Sequence, residues 1–320
     1  MQAKALLFFA AAMFIAATVS GCTQVPAGTG IDVLNFETDF SEVMSGERVD
    51  FYVRMKNTGS LTADNVFAEL LGLDASWYDP EEEPLGGGPW AGSTENFKEK
   101  LPNEENCRYT GSGSSLMPPN PFFGTDGQEK TCSWSYKAPE IPSGTSLIYE
   151  PKVRVYYNYK TTAKASITLL PRTELIRMQN SGQSPPSHII TESSSPVDIE
   201  LRIQPSIRVS GNGASFPLEI ALANIGGGVC CLEGRCKKHG SAENVWNTVT
   251  VRITSSQGIS LKDKCSGEII VPFYRNVATI VCDADVGLEN LNTAEQRTID
   301  IEVSYDYFVD KKILLTVTGA

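Results

Sequence analysis

From Ile31 onward, apolar residues recur at every second position. In RVDFYVRMKN, Val49, Phe51, Val53 and Met55 alternate with Asp50, Tyr52, Arg54 and Lys56. Period two is the spacing of a strand with one buried face. Asn57-Thr58-Gly59 breaks the run. FPLEIALAN repeats the pattern with Phe216, Leu218, Ile220 and Leu222, and breaks at Asn224-Ile225-Gly226. VRVYYNY places Val153, Val155, Tyr157 and Tyr159 on one face. IEVSYDY does the same with Ile301, Val303, Tyr305 and Tyr307. Each is followed by a last alternating strand, ASITLL in one half and KILLTVT in the other.

The likeness between the halves extends to other motifs in the same order. Ala63-Asp64-Asn65-Val66-Phe67 follows the first break and Ala242-Glu243-Asn244-Val245-Trp246 follows the second. Cys132 lies 23 residues before Val155 and Cys282 lies 21 before Val303, with upstream partners at Cys107 and Cys265. The pattern predicts an all-β chain, an internal duplication of a sandwich module of roughly 120–140 residues. The first module spans 31–170, with a long loop insertion at 73–130. The second spans 197–320, with a cysteine-rich loop at 226–241. Residues 171–196, rich in Ser, Pro and Gln, read as an exposed linker in which TELIRMQN could form a short helical turn.

The strand, Asn-x-Gly and Ala-x-Asn-Val series resembles the CARDB-like and S-layer-associated immunoglobulin-like domains of prokaryotic surface proteins. That resemblance implies two tandem immunoglobulin-like β-sandwiches serving as extracellular binding or structural modules, and it carries no catalytic residues. The glycine of each Asn-x-Gly is expected to supply a positive φ as the chain leaves the strand.

The first residues change the picture of where the chain resides. An apolar run, Ala5–Val19, follows Lys4, and Val19-Ser20-Gly21-Cys22 resembles a lipobox. That likeness implies a signal peptide at 1–21, a lipid-modified Cys22 and a tether at 22–30, with the protein held on the outer face of a membrane. Simple secretion with Cys22 unmodified is the alternative. The net charge of −11 sets nucleic acid aside as a partner.

Eight cysteines in an exported chain point to disulfides. Cys107–Cys132 and Cys265–Cys282 are expected bridges because they occupy corresponding places in the repeat. Cys230, Cys231 and Cys236 lie in GGGVCCLEGRCKKHG. Asn57 to Asn65 spans 8 residues and Asn224 to Asn244 spans 20, so this cluster is an insertion in the second copy. The leading reading is a clasp between Cys236 and either Cys231 or Cys230. The others are a zinc site of Cys230, Cys231, Cys236 and His239, and a reactive thiol.

Further candidate chemistry is sparse. Asp79-Pro80-Glu81-Glu82-Glu83 has the oxygen ligands of a calcium loop or of a solvated acidic turn. Asp283–Gly287 departs from the EF-hand template. Trp77, Tyr78, Trp90, Phe97, Tyr109, Phe122 and Phe123 lie among Gly and Pro in the first insertion, as a contact surface for sugar or protein or as cover for the sandwich edge. His188 and His239 are the two histidines, and no nucleophile elbow, Walker loop or zincin motif appears. The expected function is therefore non-catalytic and requires no cofactor: a lipid-anchored adhesion or envelope-scaffold protein with a protein or glycan partner. An accessory subunit of a secretion, pilus or transport complex is the first alternative. A metal or thiol-redox protein working through Cys230–His239 is the second.

Overall fold

A computed structural model describes residues 29–74, 76–77, 115–186, 188–204, 206–210, 213–236, 245–256, 258–262, 265–287, 291 and 293–320. The described chain is almost entirely β-structure. In the first half β1 (Ile31–Thr38), β3 (Arg48–Asn57) and β5 (Glu129–Lys137) form one antiparallel sheet. In the second half β9 (Val197–Arg202), β11 (Ala214–Asn224), β16 (Val277–Val286) and β14 (Ile259–Leu261) form its counterpart. The predicted inward residues Val49, Phe51, Val53, Met55, Phe216, Leu218, Ile220 and Leu222 are all buried. Pro217 is tolerated inside β11 because β9 begins pairing only at Glu219, leaving that side of the proline without a ladder to complete.

The larger sheet is built around β7 (Lys152–Pro171) and β17 (Glu295–Lys312), which pair antiparallel from Lys152–Lys312 to Leu169–Glu295. β4 (Asp64–Leu71) pairs with the beginning of β7, and β13 (Thr248–Ser255) with β17. β15 (Gly267–Pro272) lies beyond β13, and β12 (Val229–Cys231) adds to β17. VRVYYNY and ASITLL are thus one strand, without the break expected between them. Its inward parity runs unbroken from Val153 through Thr161 and Ala163 to Leu169, all buried. The middle of the strand looks weak in the sequence because Thr161 and Ala163 are small. They are small where they pair with the larger Val303 and Ile301.

The ends of these two strands cross over to the opposite half. β18 (Leu315–Thr318) follows β17 and pairs in parallel with β2 (Glu42–Met44) and antiparallel with β6 (Ser146–Tyr149) of the first half. Reciprocally, the end of β7 pairs in parallel with β10 (Ser206–Val209) of the second half. Thr168, opposite Ser206, and Thr316, opposite Glu42, lie 148 residues apart. Tyr157 and Tyr305 have the same separation. One contiguous apolar core runs from Ile31 to Val317 through both halves. Residues 171–196, expected as exposed linker, include the helix α1 (Arg172–Asn180) and β8 (Ile189–Glu192), the latter paired with β7.

Candidate functional site

The two repeats meet where Tyr157 pairs with Tyr307 and Tyr159 with Tyr305. All four side chains are buried, and their ring centroids lie 5.6 to 6.4 Å apart. Above them each Asn-x-Gly segment makes the same local structure. Asn57 Nδ2 donates to the Leu61 carbonyl at 2.9 Å, and Asn224 Nδ2 to the Gly228 carbonyl at 2.9 Å. The amides of those same residues turn to the tyrosines: Leu61 N–H donates to Tyr159 Oη at 3.1 Å, and Gly228 N–H to Tyr307 Oη at 2.9 Å. The Tyr307 hydroxyl in turn donates to Asn224 Oδ1 at 2.7 Å. Burial pushes the phenols of Tyr157, Tyr159, Tyr305 and Tyr307 above the ordinary tyrosine range, so they stay neutral.

The glycines serve a different purpose from the one expected. Neither Gly59 nor Gly226 has a positive φ. A Cβ on Gly59 would lie 2.1 Å from Tyr159 Oη, and one on Gly226 would lie 2.6 Å from Tyr307 Oη. Close approach of the tyrosine hydroxyl, with Gly30 backbone behind Gly59 and Pro196 behind Gly226, and not backbone handedness, excludes a side chain there.

The second Ala-x-Asn-Val motif also changes place. Ala68 pairs with Val155, and Val251 with Val303. Val155 and Val303 are equivalent, so the counterpart of Ala68 is Val251. The sequence match to Ala242–Trp246 falls four residues short of this register, and residues 241–244 lie outside the described residues. The inserted segment is correspondingly longer than the motif match implied.

On the outer face of the same strand pair sits the cysteine loop. Cys231 and Cys236 form a disulfide with Cα atoms 5.2 Å apart. Strand alternation decides which of the adjacent cysteines closes it. On β12, Cys230 points into the main core, whereas Cys231 joins Tyr156, Phe308 and Cys236 in a separate outer cluster, with Phe67, Val229 and Trp246 against it. Cys230 is a free thiol, fully buried, and that burial pushes its pKa up to about 12. The four-ligand zinc reading meets this geometry poorly. Cys231 and Cys236 are bonded to each other, Cys230 faces the opposite side, and His239 lies outside the described residues.

The loop is tied down by a chain of polar contacts that crosses the repeat boundary. Asn65 Nδ2 donates to Asn158 Oδ1 at 2.5 Å, and Asn158 Nδ2 donates to Asp306 Oδ1. Gly234 N–H, at the turn of the clasp, donates to Asp306 Oδ2 at 2.8 Å. Burial holds the Asp306 carboxyl above the usual aspartate range despite these donors. Trp246 Nε1 donates to the Cys236 carbonyl at 3.1 Å. Beside them Arg154 lies 4.0 Å over the Phe308 ring and grips Asp310 with two hydrogen bonds of 2.6 and 2.7 Å. This is a bidentate, stacked guanidinium site.

The remaining predicted residues are placed as follows. Cys265 and Cys282 form a disulfide. Cys132 is disulfide-bonded, and its expected partner Cys107 lies outside the described residues. By register with β3 and β11, Cys132 and Cys282 occupy the same strand and face but stand two residues out of step. Cys22 and Asp79–Glu83 also lie outside the described residues. Asp283 and Asp285 belong to β16, where Asp285 is 2.6 Å from Lys262. Among the described residues no group of three or more His, Cys, Asp or Glu side chains converges on a metal position. Trp77 is buried against Phe51 and Tyr149, whereas Phe122 and Phe123 stand in solvent. Tyr78, Trp90, Phe97 and Tyr109 lie outside the described residues. A cleft of about 590 Å³ has Lys164, Glu192, Arg252, Asp300 and Glu302 among its lining residues. Lys164 pairs with Asp300 at 3.4 Å inside it.

No family model matches the chain, and no curated protein matches it. Among solved structures it is similar to alpha-2-macroglobulin of E. coli, at 12% identity over 91% of this chain and 17% of that one, with a TM-score of 0.21. It is similar to the secreted serine protease VesC of Vibrio cholerae, at 10% identity over 89% of this chain and 51% of that one, with a TM-score of 0.20. It is also similar to the CupB6 tip adhesin of Pseudomonas aeruginosa, at 9% identity over 91% and 96%, with a TM-score of 0.14. At these scores none of the three assigns a function. The chain spans only a fraction of the first two.

Proposed function

We propose that this chain is a non-catalytic surface protein, lipid-anchored through Cys22, that acts as a rigid binding or scaffold module. The observation that carries the reading is the pair of closed disulfides, Cys231–Cys236 and Cys265–Cys282, on a continuous β-core. Disulfides of this kind persist in oxidising, extracytoplasmic compartments. The disulfide-closed loop at Cys231–Cys236 sits over an aromatic cluster on the β scaffold, and loops positioned by a rigid scaffold are where recognition is usually placed. The lipobox resemblance at Cys22 and the CARDB-like and S-layer-associated resemblance of the Asn-x-Gly motif point the same way. A protein or glycan is the partner class in this reading.

The test is native membrane fractionation combined with intact mass. The wild-type chain is expected in the membrane fraction, beginning at a Cys22 that carries acyl mass. Cys22→Ser is expected in the soluble extracytoplasmic fraction. A wild-type protein with reduced cysteines in the cytosol overturns the reading.

A further inference from the structure

Phe122 and Phe123 are 97% and 81% exposed, at the tip of a loop that follows Leu116. Two adjacent phenyl rings left in water cost free energy that a floppy loop would avoid by folding back. This loop is held open. Asn120 and Thr125 exchange two backbone hydrogen bonds, of 2.9 and 3.1 Å. Asn120 Oδ1 accepts the Phe122 amide at 3.1 Å. At the base, Met117 and Gln128 pair through a backbone bond of 3.0 Å, and the Gln128 carbonyl accepts the Asn57 amide at 3.1 Å.

The next residue, Thr58, donates its amide to the Gly30 carbonyl at 2.7 Å. The base of the Phe loop and Gly30, the residue before β1, are therefore held by the consecutive residues Asn57 and Thr58. From Gly30 it is eight residues back to Cys22, about 28 Å at full extension. Any membrane that holds Cys22 is within reach of this part of the surface.

We propose that Phe122 and Phe123 form a second, interfacial membrane contact, inserting into the headgroup boundary of the bilayer. The proposal rests on the lipid-anchor reading above. Aromatic side chains seated in the headgroup boundary add buried apolar area to the hold of the lipid at Cys22 and fix how the chain sits on the bilayer. With a net charge of −11 the contact is apolar, not electrostatic. A zwitterionic bilayer therefore suffices.

The experiment uses the full chain on phosphatidylcholine vesicles whose acyl chains carry bromine near the headgroup end. Flotation and the mass at Cys22 report the anchor alone. Phe122→Trp adds an indole whose emission is obtained as the difference from the parent. Insertion to the acyl boundary predicts that about half or more of the added emission is lost in brominated vesicles. Phe122→Ser with Phe123→Ser is expected to float, keep the parental unfolding temperature and transfer severalfold faster to acceptor vesicles. Flotation with unquenched indole emission and unchanged transfer overturns the proposal and leaves the anchor standing. Failure of the parent chain to float overturns both. If the double substitution instead dissociates an oligomer while the indole stays unquenched, the pair docks a second copy and the membrane contact is wrong.

Discussion

Asn158 and Asp306 stand directly opposite one another on the central strand pair, joined by a side-chain hydrogen bond. They are 148 residues apart, the same interval that relates Tyr157 to Tyr305 and Tyr159 to Tyr307. Equivalent positions of the two repeats therefore face each other, and the pair marks a local pseudo-two-fold axis. On the inner side of the axis lie the tyrosines under the Asn-x-Gly loops. On the outer side lies the disulfide clasp. The substitution of Asp for Asn in one copy gives that copy an extra acceptor oxygen, and the inserted loop uses it through Gly234.

The close approach of Gly59 and Tyr159 makes a coupled pair. Gly59→Ala is expected to destabilise the chain by about 1–3 kcal/mol through overpacking. Tyr159→Phe removes the nearest atom that the new methyl meets and leaves the Gly30 backbone at 2.9 Å. In urea unfolding, the double substitution is expected to cost less than the sum of the two singles. Strict additivity would show that the hydroxyl is not what excludes the side chain.

Asp306 contributes a pH-dependent term of definite sign. Its carboxyl is held above the usual range by burial, so the folded state binds the proton more tightly than the unfolded chain. Its contribution is favourable when protonated and is lost as pH rises from the unfolded aspartate value through the raised folded value. Asp306→Asn cannot titrate. The wild type is expected to lose stability relative to this variant across that window, with a constant difference above it. Urea titrations at stepped pH measure this, and a difference that runs the other way contradicts the assignment.

The disulfides differ in loop length and so in expected weight. Opening Cys231–Cys236 with paired serines is expected to cost about 2 kcal/mol, and opening Cys265–Cys282 about 3 kcal/mol. Cys230 is buried with its thiol pushed up to about 12. In the native protein it is expected to resist iodoacetamide at pH 8 and to react once guanidinium unfolds the chain. Mass mapping of the peptide checks both states.

Exchange of strand ends links distant parts of the chain. Leu315 and Val317 are fully buried and lie on the strand between β2 and β6. Leu315→Ala is expected to destabilise by about 2–5 kcal/mol. Chain termination after Lys312 is expected to remove hydrogen-exchange protection from Val43 and Leu147. Retained protection there would mean that β2 and β6 are stable without the C-terminal strand.

Much of this architecture is legible in the residues alone. Period-two runs located β3, β11, β7 and β17 and chose their buried faces, because side chains alternate on any strand regardless of its partner. The Asn-x-Gly breaks and the tyrosine parity exposed the repeat for the same local reason. What remained hidden was non-local. Which strand lies beside which, and that β7 and β18 complete opposite halves, depends on how two copies bury their inner faces together. The reason for Gly59 was equally hidden, since the hydroxyl it accommodates is 100 residues away. Sequence spacing left Cys230 and Cys231 both open as partners for Cys236. The choice fell to Cys231 once β12 paired with β17, because that pairing turns one sulfur into the core and the other toward the clasp. Alternation and turn chemistry are properties of a few neighbouring residues. Strand partners and side-chain proximity exist only after the chain has closed on itself.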